Sequence, residues 1–206
     1  MKIRLLVILL AGVLFQTCSG QGNLLDKVFD DEQVVTIEQI IDFYDEFVVA
    51  NSDQCKTIEE AYLFFLNNRC PEIILIGDFS PLIPDEKEKF AFFNTLDKNA
   101  LLEIFFILDS VRVYNKTTKE FEIKAVPYYF SFNSIGQYTK LLEELSTRKD
   151  FFKQYYQGVI ACGDLCPTTY ASLITDYKKI DFNKKEERIT FIVPFLFYNK
   201  IYTIDD

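Results

Sequence analysis

Thr36-Ile37-Glu38-Gln39-Ile40-Ile41-Asp42-Phe43-Tyr44-Asp45-Glu46-Phe47-Val48 decides the fold class. Ile37, Ile40, Ile41, Tyr44, Phe47 and Val48 recur at helical spacing and so share one face. Thr36 and Gln39 have the spacing of a capping box, in which a hydroxyl and a side-chain amide satisfy free backbone donors. The pattern predicts a helix from 37 to about 50, closed by Asn51-Ser52-Asp53. Thr57-Ile58-Glu59-Glu60 repeats the start signal, and Ile58, Ala61, Tyr62, Phe65 and Leu66 again line one face. This second helix is expected to stop near Asn68, because Pro71 lacks the N–H that would continue it.

Downstream the pattern stays mostly helical. Glu72–Ile76 is a short apolar run before Gly77-Asp78 that suits a strand or a helix end equally. Pro81 and Pro84 mark a loop. Asp85–Leu96 reads as a helix with an acidic start, and Asn99–Val111 as a buried helix, apolar on most sides. Val111–Tyr114 and Phe121–Lys124 alternate around Asn115–Lys119, which predicts a β-hairpin. Pro127 to Gly136 is aromatic and irregular. Residues 137–160 form one long helix or two with a break near Ser146-Thr147. Cys162-Gly163-Asp164-Leu165-Cys166 is a turn, and Pro167 fits the first position of a helix with Tyr170, Leu173, Ile174 and Tyr177 inward. Asn183 and Glu186 resemble a further cap. Ile189–Tyr198 is densely apolar and interrupted by Pro194, which leaves a kinked helix and a buried strand both open. The expected fold is mainly α: an irregular helical bundle or short helical stack with one small β-hairpin.

Upstream, Met1–Gly20 has a basic start at Lys2 and Arg4, an apolar core at Leu5–Val13, and a small, polar end. That is the layout of an export signal, and the core is too short to span a bilayer. Gln21–Gln33 reads as a polar leader or tether, and 34–206 as a single domain. The end of the signal, Leu14-Phe15-Gln16-Thr17-Cys18-Ser19, resembles a bacterial lipoprotein signal. The resemblance is confined to this end of the chain, and implies that Cys18 becomes the lipidated first residue, held at the cell envelope. The alternative is ordinary cleavage after Gly20, with a soluble periplasmic or secreted product from Gln21.

Four cysteines remain beyond Cys18: Cys55, Cys70, Cys162 and Cys166. In an exported chain an even number reads as disulfides. The Gly163-Asp164 turn favours Cys162 with Cys166, leaving Cys55 with Cys70; pairing between the two groups is the alternative. Cys-x3-Cys is not the spacing of a thiol oxidoreductase, and a four-cysteine metal site is disfavoured by the same oxidising setting.

The chemistry is bounded by residues the chain lacks. It has no His, which excludes Ser-His-Asp and Cys-His sites and His-ligated zinc. Neither GxGxxG nor GxxxxGK[ST] occurs, and no cofactor is implied. Asp78 after an apolar run suits a turn better than an active site. The acidic clusters Asp30-Asp31-Glu32, Asp85-Glu86 and Asp205-Asp206 match no Ca²⁺ loop. Tyr128-Tyr129-Phe130 and Phe191–Tyr198 suit the core better than a docking surface.

Charge points to a class of partner. The 22 basic and 31 acidic side chains give −9, and loss of Lys2 and Arg4 takes the mature chain to about −11. Such a field repels nucleic acid and attracts cationic surfaces. The function expected is that of a membrane-anchored, non-enzymatic binding protein, an inhibitor or immunity-type partner of a basic protein. The alternative is a carboxylate-dependent hydrolase such as a glycosidase, which needs only two Asp or Glu residues. Intact-mass analysis of the exported product is expected to show acyl mass on a chain starting at Cys18, lost in Cys18→Ser. A lipid-free product starting at Gln21 is the opposing result.

Overall fold

The computed structural model describes residues 23–198 apart from Gln54; of Val126, Pro127 and Tyr128 it gives the backbone alone. The expected export signal with Cys18, and the Asp205-Asp206 cluster, lie outside the described residues. The fold is mainly α with one antiparallel hairpin.

The helices are α1 (Leu24–Val28), α2 (Asp31–Ala50), α3 (Ile58–Ile76), α4 (Glu86–Phe93) and α5 (Lys98–Leu102). The hairpin β1 (Phe105–Asn115) and β2 (Glu120–Phe132) follows. Then come α6 (Gln137–Ser146), α7 (Asp150–Cys162), α8 (Pro167–Asp176) and α9 (Lys185–Leu196). In α9 every residue from Glu187 to Leu196 is buried. It packs on α2, α6 and α1, so the bundle is built around it. Tyr62 stacks on Phe182 with centroids 4.4 Å apart, and Phe191 of α9 sets its edge against Phe182 at 5.7 Å and Tyr62 at 6.2 Å. Stacked and edge-to-face pairs let large rings fill a core without voids.

Several expectations are corrected. The stretch 21–33 is not a tether throughout. Leu24 and Leu25 of α1 are fully buried, and Asn23 caps that helix. The cap of α2 lies six residues before the expected one: the Asp30 carboxylate accepts the Gln33 N–H at 2.8 Å, and the Gln33 side chain accepts the Asp30 N–H at 3.1 Å. Thr36 sits buried inside the helix with its hydroxyl donated to the Glu32 carbonyl. Carboxylate and amide do the same capping work as the Thr-x-x-Gln pair, so two adjacent signals competed.

Pro71 does not end α3. The helix runs on to Ile76 and stops at Gly77, whose φ of 79° is left-handed backbone that glycine adopts without strain. Burial of Cys70 and Ile73 on either side of Pro71 holds the helix through the missing hydrogen bond. The same holds at Pro194 in α9, so the 189–198 run is mostly helix, not strand. Asn183 does not cap α9; the N-cap is Lys184, and the Asn183 amide instead donates to Glu59 at 2.7 Å.

The expected helix over 99–111 ends at Leu102, and β1 begins at Phe105. The hairpin is longer than expected and takes in Pro127–Phe132. Phe105 pairs with Phe132 and Ile107 with Phe130, which seats the base of the hairpin on the core, and a bulge interrupts the register between Leu108 and Ser110. The chain leaving the base of the hairpin is tied back through Asn133, whose N–H reaches the Ile104 carbonyl at 2.9 Å and whose side chain reaches the Leu102 carbonyl at 2.6 Å. At Gly136 a Cβ would lie 2.1 Å from the Glu103 carbonyl oxygen, so only glycine lets α6 start against α5.

Two buried charges of α9 find partners on neighbouring elements. Arg188 of α9 meets Asp45 of α2 at 3.5 Å and donates to the Phe182 carbonyl at 3.0 Å; the Tyr62 hydroxyl donates to Asp45 at 2.8 Å. Burial raises the Asp45 carboxyl above the usual range, with Arg188 and Tyr62 opposing it. Glu187 pairs with Lys149 and accepts the Asp181 N–H at 2.9 Å. Removing one partner of a buried pair strands the other. Arg188→Met is therefore expected to cost about 3–5 kcal/mol in urea unfolding. The double variant Arg188→Met/Asp45→Asn is expected to be more stable than the sum of the two single losses.

Candidate functional site

A cavity opens beside the base of the hairpin. Phe79, Phe105, Tyr129, Phe130, Tyr170 and Phe197 are among the residues lining its volume of about 210 Å³, with Tyr198, Leu165 and Asp164 at its side. The local chain explains the placement. Gly163 ends α7 in left-handed backbone, at φ 67°, and turns the chain. Asp164 and Leu165 follow, and Cys166 caps α8 with Pro167 in its first turn. Cys162 and Cys166 lie at disulfide distance, their Cα atoms 6.4 Å apart, and so close the turn that presents Asp164.

The walls are two groups of rings. Phe79, Tyr170 and Tyr198 lie with centroids 5.4–5.6 Å apart. Phe105, Phe130 and Phe197 lie 4.4–6.0 Å apart. Burial pushes the Tyr170 hydroxyl well above its ordinary range, and the Asp164 charge pushes it further. Burial, then Asp78, does the same to Tyr198. Both phenols therefore remain neutral donors at physiological pH. The two carboxylates set a negative potential in which further anionic charge is disfavoured and a cation is favoured.

The remaining sequence candidates separate. Cys55 and Cys70 are not bridged: both are free. Because α3 runs unbroken from Ile58, Cys70 lies roughly 18 Å along the helix from its start, beyond the reach of a bridge from Cys55. Asp78 is turn chemistry, its carboxylate accepting the Ser80 N–H at 2.9 Å and hydroxyl at 2.6 Å. Asp30 and Asp85 are helix caps. Among the described residues no group of three or more His, Cys, Asp or Glu is placed to hold a metal ion. None of the described helices is long and apolar enough to cross a membrane. Phe130 and Phe197 are both core and cavity wall, so the two readings of the aromatic runs converge there.

Sequence reasoning missed the cavity as a unit. Its members come from six separate stretches, and no spacing joins them. No family model matches this chain, and neither a curated protein nor a solved structure matches it.

The thiols offer a direct check. Burial pushes the Cys70 thiol up to about 12, while Cys55 is only half-buried. Iodoacetamide at pH 8 is expected to modify Cys55 in the native protein and Cys70 only after unfolding, with Cys162 and Cys166 reacting only after reduction. Peptide mapping reads all four sites.

Proposed function

We propose that the protein is an exported, membrane-anchored binding protein that holds a basic protein partner, as an inhibitor or immunity-type protein would, and does not act by turnover. The observation that carries this reading is the aromatic cavity with Asp164 beside it. Faces of Phe and Tyr attract a lysine ammonium or an arginine guanidinium, and more strongly once water is excluded. A carboxylate next to the rings adds charge complementarity, and the excess of 31 acidic over 22 basic side chains steers the encounter. The cavity supplies what charge alone lacks, a desolvated pocket for an anchoring side chain.

The hydrolase reading asks for two carboxylates within one pocket. Among the described residues lining the aromatic cavity Asp164 is the one carboxylate, and in the neighbouring cavity, where Asp85 and Glu86 both lie, Asp85 is engaged as a helix cap, which supports binding over hydrolysis. Asp78 acts on the neighbouring Tyr198.

An NMR titration of the labelled protein with a lysine- and arginine-rich peptide tests the reading. The amides of Asp164, Leu165 and Tyr170 are expected to shift together. Affinity is expected to fall as salt rises and to drop about two- to fivefold in Asp164→Asn. Shifts scattered over the acidic surface, or an affinity indifferent to Asp164, overturn it. Hydrolysis of a glycoside, lost when Asp164 and Asp78 are both replaced by Asn, would transfer the site to the enzyme.

A further inference from the structure

The geometry points to Lys89 as an amine held for covalent capture of a small aldehyde or ketone. Lys89 lies on α4, and its side chain is 3% exposed. It lines a second cavity of about 290 Å³ with Ser80, Ile83, Pro84, Asp85, Glu86 and Tyr198. This cavity shares Tyr198 with the aromatic one, but the inference does not rest on the binding function proposed above.

Some lysines are paired with carboxylates: Lys185 meets Glu38 at 2.6 Å and Lys27 meets Glu144 at 2.8 Å. Lys89 makes no ion pair among the described residues. It reaches the Tyr198 carbonyl at 3.5 Å, the outer limit of a hydrogen bond, and the Phe90 ring at 5.5 Å. A buried ammonium with so little compensation is costly, and burial lowers its proton affinity. Glu86 opposes this by favouring the charged form. Asp85 is occupied in capping, accepting the Lys87 and Glu88 N–H groups. The balance leaves a larger share of free amine on Lys89 at neutral pH than on a solvated lysine.

The free amine attacks the carbonyl carbon, and the C–N bond forms as the carbonyl oxygen takes a proton. Nitrogen loses its protons as the C–O bond breaks and water leaves. The product is an imine, with no net oxidation or reduction. Ile83 and Pro84 give the cavity an apolar wall for a short carbon chain, and its volume limits the carbonyl compound to a small one.

Propanal with cyanoborohydride, which traps the imine by hydride addition, tests this on the intact protein, read by peptide mapping. At pH 7 Lys89 is expected to be alkylated faster than the other lysines, about tenfold for each unit by which its pKa is lowered. Its labelling is expected to rise at a lower pH than theirs. Glu86→Gln removes the charge that holds the proton and is expected to speed labelling of Lys89 at pH 7 without changing the other sites. Lys89→Met is expected to abolish that one mark. Labelling of Lys89 no faster than the other lysines, complete protection of Lys89 while they react, or slower labelling in folded Glu86→Gln each overturns the proposal.

Discussion

Helix α9 has no face for water. Its residues from Glu187 to Leu196 are buried, and they include a glutamate and an arginine. A helix buried on every side needs partners on every side, and the bundle supplies them. Asp45 of α2 comes to Arg188 and is itself held by the Tyr62 hydroxyl of α3, and Lys149 comes to Glu187 from the start of α7. These polar contacts act at fixed points along the axis, so they set how far α9 slides and how it turns. Hydrophobic burial supplies the attraction but is indifferent to register. The charged contacts are directional and costly to miss. With α9 held, the ring clusters around Phe191 and Phe197 have one arrangement, and the cavity beside Phe197 inherits its shape from them.

Much of the helical architecture was legible because an amphipathic face leaves a period. Ile37, Ile40, Ile41, Tyr44 and Val48 are buried as their spacing implies, and so are Tyr170, Leu173, Ile174 and Tyr177. Where the chain is apolar on all sides the period vanishes. Ile104–Leu108 reads alike as buried helix and as strand, and pairing with residues twenty-odd positions away decides it. Pro71 misled for a related reason. Local chemistry favours a break there, but packing of Cys70 and Ile73 outweighs one lost hydrogen bond.

The candidate sites divide along the same line. The turn that brings Cys162 to Cys166 is local, and five residues reveal it. The cavity is not local. Phe79, Phe105, Tyr170 and Tyr198 look in sequence like four core residues, and only the packing makes them a wall. Lys89 was equally silent. A lysine among Glu86, Lys87 and Glu88 reads as surface, and its burial follows from the orientation of a short helix that no sequence pattern fixes.

The position of α9 in the chain has a consequence for how the protein is made. Residues 185–196 fill the middle of the bundle, yet they leave the ribosome after every other described element on which they pack. Until they arrive, the inward faces of α2 and α6 have lost a principal partner. The pairing of α2 with α9 also joins residues about 150 positions apart, a long loop to close before the contact rewards it. A chain growing from its amino end therefore stays loosely packed through most of its synthesis. Such a state exposes apolar surface to chaperones and to self-association, and it also leaves the polypeptide threadable. Late closure of the core therefore leaves the growing chain open until α9, the last of the described helices, is in place.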